Sequence, residues 1–172
     1  GAALRKCDLN GVALRAADLS NAHLANHLLV RDNLDEAHLA DADMMRAHLY
    51  EADLQRAVLI HANLTEASLR NACLQSADLT GAILRNSHLC GVDLENANLE
   101  GAIMVESDLR QANMEEADLA GANLHGASLP NADLMGADLE GADLTEADLS
   151  DVDLEQADLR DANLRSAELR HA

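Results

Sequence analysis

Residues 117–126 read Ala117-Asp118-Leu119-Ala120-Gly121-Ala122-Asn123-Leu124-His125-Gly126, two copies of one five-residue unit. The unit extends outward in both directions. From Leu4 to Leu169 every fifth residue is Leu or Met: 34 positions, of which only Met44, Met104 and Met114 are not Leu, a run too long for chance. Two residues before each lies a second, smaller site. It is Ala except at Cys7, Val12, His27, Asp32, Ser87, Val92, Ser107 and Val152. The residue between the two sites is usually Asp or Asn, as at Asp18, Asn33 and Asp138. All nine glycines, among them Gly81, Gly101 and Gly136, share one phase of the repeat, and all but Gly1 fall two residues after a central Leu. A position that collects glycine in this way has a fixed backbone role, most simply a turn.

The period excludes the common elements. Residues five apart on an α-helix point about 140° apart, so the leucines would smear around it. On a plain strand every second Leu would flip to the opposite face. A short extended stretch followed by a corner accommodates both. The small residue and the Leu, two apart, point inward, the polar residue between them points out, and the last two residues turn. Repeated side after side, the chain winds as a solenoid.

The unit Ala-(Asp/Asn)-Leu-X-X, as in Ala117–Gly121, resembles that of the pentapeptide repeat proteins, and the resemblance covers essentially the whole chain. It implies an all-β fold, a right-handed quadrilateral β-helix in which four such sides close a coil of 20 residues, as one domain over residues 1–172 of about 8.6 coils. Neighbouring strands about 4.8 Å apart would make the rod about 41 Å long. Leu or Phe is usual at the central site of such proteins; this chain has no Phe. Some similar proteins end in helices that cap or dimerise the rod. None is legible here, since Ser166-Ala167-Glu168-Leu169-Arg170 still obeys the repeat. The expectation is a monomer, or a dimer made end to end or through strand edges, because a bare terminal coil leaves strand edges unpaired.

Composition narrows function. With 31 acidic and 12 basic residues the formal charge is −19, which disfavours direct contact with nucleic acid or an anionic membrane. No apolar run reaches membrane-spanning length. Charge is uneven: residues 1–86 hold 8 bases and 11 acids, residues 87–172 hold 4 bases and 20 acids. Stacked on a four-sided coil, the acids concentrate on two adjoining sides. They include Asp93, Glu95, Glu100, Glu115, Glu116, Asp118, Asp133, Asp138, Glu140, Asp153, Glu155 and Asp158. Like charges stacked about 4.8 Å apart repel, so these rows are tolerated or useful. A possible apolar patch comprises Val58, Ile60, Ile83, Ile103 and Val105.

One stretch breaks the pattern. His27 and Asp32 are large polar residues at consecutive small sites, with Leu28 and Val30 at positions that should face water. A local bulge that turns both polar groups out, or satisfies them, is the expected reading. Cys7 would stack one coil from His27, but two ligands do not make a metal site. The three cysteines find no partners in this geometry, which suggests free thiols, a reducing compartment and a cytoplasmic location. No nucleophile–base pair, phosphate loop or paired-carboxylate signature is present, so neither an enzyme nor a cofactor is expected.

Two functional readings remain. The first is a non-enzymatic scaffold that presents a rigid acidic surface to a protein partner. The second comes from the resemblance: some pentapeptide repeat proteins mimic duplex DNA and bind DNA gyrase. A rod of regularly spaced carboxylates can occupy a basic groove by the electrostatics that attract DNA.

Overall fold

The computed structural model describes Leu9 and residues 12–172. Among these residues there is no helix, and so none long and apolar enough to cross a membrane. Each unit contributes one extended residue to a parallel bridge with the residue 20 further on, from Asp18↔His38 to Asp148↔Glu168. The coil is therefore four units long and has four sides. The first side carries Asp18, His38, Val58, Asp78, Asn98, Asp118, Asp138 and Asp158 at its outward position. In chain order the second side is marked by His23 and Ile83, the third by Leu28 and His88, and the fourth by Asn33 and Asp93.

The unit Ala117–Gly121 shows how five residues satisfy five amide groups. The Ala117 amide donates to Met114 O at 3.1 Å, closing the preceding corner. Asp118 donates to Ala97 O one coil back, while Leu119 and Gly121 donate to Asp138 O and Glu140 O one coil on. The fifth amide, of Ala120, donates at 3.0 Å to Oδ1 of Asp118. Corner and wall together thus leave no donor unpaired.

The corners follow the type II pattern, in which the third residue of a four-residue turn has positive φ. The residue two after the central Leu has φ between +53° and +68° in every unit from Ala16 to His171. Twenty-five of these are not glycine, so the ladder imposes the left-handed conformation on residues that resist it. The chain's single proline, Pro130, sits at the second position of its corner. There its fixed φ suits the turn, and that position's amide is the one the ladder does not use.

The interior is a column of Leu, Ala and Met, nearly all less than 2% exposed from Ala22 to Leu149. Ser87 and Ser107 replace Ala on the third side, and their hydroxyls donate to Leu84 O and Met104 O at 2.7 and 2.8 Å. The core loosens in the last coil, where Leu154, Leu159 and Leu164 are only partly covered and Leu169 is 45% exposed.

The bulge expected at His27–Asp32 is not there. The ladder runs through unbroken: His48 donates to His27 O at 2.9 Å, Asp53 to Asp32 O at 3.0 Å, and Leu28 bridges His48. Asp32 keeps the inward position at 4% exposure, and His27 is half-buried with Nδ1 3.3 Å from Ala25 O. The backbone bonds of every unit depend on its neighbours one coil away, so bulging one unit would break the ladder above and below. Keeping the register costs less than ejecting two side chains. Cys7 lies outside the described residues.

Candidate functional site

The twelve acidic residues singled out from the sequence fall on the fourth and first sides and the corners beside them, and none is buried. Parallel bridges join Asp118 to Asp138 and Asp138 to Asp158 on the first side, and Asp133 to Asp153 on the fourth. Most of the aspartates are held in place by the backbone. Oδ1 of Asp118, Asp133, Asp138 and Asp153 accepts the amide two residues on, at 3.0, 3.0, 2.9 and 2.9 Å. Asp93 accepts the Glu95 amide and the Asn113 side-chain amide, and Glu95 accepts Gln75 Nε2 at 2.9 Å. The rows are therefore fixed arrays, not flexible tails.

Two features lay outside the sequence reading. The first is this anchoring, for which the recurrence of Asp or Asn two residues before an exposed amide was the available signal. The second is a set of ion pairs between coils in the less acidic half. Arg31 meets Glu51 and Arg46 meets Glu66, each 20 residues apart, while Arg15 and Arg56 share Asp35 and Glu36. Opposite charges at a 20-residue offset were visible once the coil length was known. Arg160 closes the acidic row at its far end, pairing with Asp158 and Glu140. Carboxylate oxygens of Asp138, Glu140 and Asp158 converge within 4.8 Å, but the Arg160 guanidinium already serves two of the three.

The charge environment shifts particular groups. Hydrogen bonds from the Arg160 side chain, and then from its amide, hold the Asp158 carboxyl below its usual range. The Arg110 side chain does the same for Asp108, the Thr145 hydroxyl and amide for Asp143, and the Ser20 amide for Asp18.

The apolar residues named from the sequence are half-buried. Ile83 and Ile103 bridge one another on the second side, with Val105 at the corner below, and Val58 bridges His38 and Asp78 on the first side. The more exposed apolar side chains lie elsewhere: Leu28 at 56%, Leu169 at 45%, Val12 at 43%, Tyr50 at 37% and Met45 at 36%. An opening at the final coil is lined by Val152, Leu154 and Leu169, and a shallow groove by Glu66, Arg70, Ser87, His88, Asp108 and Arg110. In that groove Ser87 is committed to a backbone carbonyl and Arg110 to Asp108. Cys73 and Cys90 are free and half-buried.

A family model of pentapeptide repeats matches in eight copies over residues 1–31 and 33–172. HetL, a pentapeptide repeat protein involved in heterocyst differentiation regulation in the cyanobacterium Nostoc, is 34% identical. That match covers 92% of this chain and 73% of HetL, with a TM-score of 0.51. Rfr23, a pentapeptide repeat protein of the cyanobacterium Cyanothece, is 44% identical over 54% of this chain and 63% of its own, with a TM-score of 0.53. No curated protein sequence matches. The repeat, the four-sided ladder and these likenesses agree on the architecture, a right-handed quadrilateral β-helix, and the chain belongs to the pentapeptide repeat family.

Proposed function

We propose that the protein is a non-enzymatic interaction scaffold whose acidic fourth and first sides engage a basic protein surface. One observation carries this reading. The aspartates at 118, 133, 138 and 153 are locked by backbone amides into rows that advance one coil at a time. A surface ordered before binding loses little conformational entropy on contact, so regular charge converts to affinity efficiently. The test is capture of partners by the wild-type protein and by a variant with Asp118→Asn, Asp138→Asn and Asp158→Asn. Asn preserves the amide bond and removes the charge. Loss of one recurrent basic partner supports the reading; undiminished capture by that variant sinks it.

The same fixed rows favour a second reading, competition with DNA for a basic groove. Here the protein should alter DNA gyrase supercoiling in a salt-sensitive way, and Asp118→Lys, Asp138→Lys and Asp158→Lys together should abolish the effect. No change in supercoiling at large molar excess would eliminate it.

A further inference from the structure

Residues 12–21 are tied to residues 32–41 one coil on. The amides of Ala16, Leu19 and Asn21 donate to Asp35 O, His38 O and Ala40 O, and the His38 amide donates back to Ala17 O. The core is less closed here than further along. Leu14 and Leu19 are each 7% exposed, whereas every central Leu from Leu24 to Leu149 is at most 1% exposed. Two features act on this stretch in opposite senses. By the 20-residue register, Val12 stacks on Asp32, the one Asp, Glu, Lys or Arg at an inward position among the described residues. A carboxyl group buried where the repeat places Ala costs desolvation energy even when it is paired. Opening of the coil above returns that group to water. Against this stands a network of ion pairs. Nε of Arg15 donates to Oδ2 of Asp35 at 3.0 Å and its Nη2 to Oε1 of Glu36 at 3.1 Å. Nη2 of Arg56 donates to both carboxylate oxygens of Asp35 at 2.7 Å and to Oε1 of Glu36 at 3.3 Å.

We infer that residues 12–21 open and close as a unit over the interior at Asp32, with the buried carboxyl favouring opening and the Arg15–Asp35/Glu36–Arg56 network acting as the clasp. Each coil of a solenoid rests only on its neighbours, so one coil can open while the rest of the rod stays closed. The clasp spans three coils: Arg15 lies in the first, Asp35 and Glu36 in the second, Arg56 in the third. Arg56 holds the two carboxylates in place from the far side, and Arg15 fastens the opening coil to them. Asp35 is only 7% exposed, so water screens its bonds less than those of an exposed pair such as Arg46–Glu66.

Residue-resolved hydrogen exchange of the full chain at neutral pH tests this. It is read at the amides of Ala16, Leu19 and His38 and, far along the rod, at those of Leu119 and Asp138. Asp35→Asn should speed exchange at the first three by about tenfold, the scale of a lost hydrogen bond to a charged group. Arg15→Gln should act in the same direction, and the two changes together should do less than their product, because they break a shared bond. Asp32→Ala restores the usual residue of the unit and should slow exchange at the same three amides by about tenfold. Leu119 and Asp138 should exchange as in the wild type in every variant. Unchanged exchange at Ala16 and Leu19 in Asp35→Asn overturns the clasp. Unchanged or faster exchange there in Asp32→Ala overturns the role of the buried carboxyl. An equal change at Leu119 shows that the rod opens as a whole and overturns the local unit.

Discussion

Oδ1 of Asp138 accepts the amide N–H of Glu140 at 2.9 Å, supplying the acceptor that the ladder withholds from that amide. The same bond links Asn113 to Glu115 and Asn123 to His125, so the carbonyl of an amide serves as well as a carboxylate. This explains why Asp and Asn alternate freely at the outward position. Asp138→Asn should therefore leave stability almost unchanged, whereas Asp138→Ala should cost about 1 kcal/mol, a typical net hydrogen bond. Urea denaturation of the two variants checks this; equal losses would show that charge, not the bond, matters at this position.

The interior should be intolerant in both directions. Ala117 and Leu119 are essentially inaccessible to solvent. Leu119→Ala should cost about 2–5 kcal/mol through lost burial and the cavity left behind. Ala117→Leu should cost about 1–3 kcal/mol or more, because opposite walls tied by hydrogen bonds have little freedom to separate. Chemical denaturation gives both values, and a neutral Ala117→Leu would reveal unexpected slack in the tube.

Corner glycines separate backbone strain from crowding. Gly101 has φ +62° and open space where a Cβ would stand. Gly101→Ala should cost about 1 kcal/mol, from the left-handed backbone alone. Gly81 has the same φ, but an added Cβ would lie 2.5 Å from Nδ1 of His61. Gly81→Ala should therefore cost more, and Gly81→Ala combined with His61→Ala should return to the Gly101→Ala value. Thermal melts of the three variants decide it.

Acid should destabilise the rod. Asp18, Asp108, Asp143 and Asp158 are held below their usual range by hydrogen bonds from Ser20, Arg110, Thr145 and Arg160. A carboxyl with a lowered folded-state pKa contributes stability that is fully present above its unfolded value of about 3.9 and is lost as pH falls through the folded value. The melting temperature should thus decline below about pH 4. A rise instead would mean that relief of repulsion along the acidic rows outweighs these bonds.

Salt should act in the opposite sense to that expected of a protein stabilised by surface ion pairs. Exposed pairs such as Arg46–Glu66 contribute little, while the net charge of −19 opposes compaction throughout. Raising NaCl from about 0.01 to 0.5 M shortens the screening length to a few ångströms. The melting temperature should rise with salt, and a fall would place more weight on the ion pairs.

The two acidic sides were legible before the structure because, with the four-sided coil that the resemblance implies, residues 20 apart must meet. The anchoring of Asp118 and Asp138 was not, because an outward polar residue reads as solvated unless the turn places an unused amide beside it. The arginine partners were missed for a related reason. Arg160 follows a stretch without Lys or Arg from Gln111 to Leu159, yet it folds back onto Asp158 and Glu140. His27 and Asp32 misled because a local misfit suggests a local remedy, whereas their units are bound on both sides to neighbouring coils.

The amino-acid sequence alone determined the period, the inward column of Leu and Ala and the outward polar row, which follow from side-chain direction along an extended chain and from a repeat that never slips. The four-sided coil, and with it the sides on which the acids lie, came from the resemblance to the pentapeptide repeat proteins. Only the tertiary structure decided which carboxylates are anchored and which are neutralised. Those outcomes depend on rotamers and on contacts between coils, where a few ångströms separate a paired charge from a solvated one.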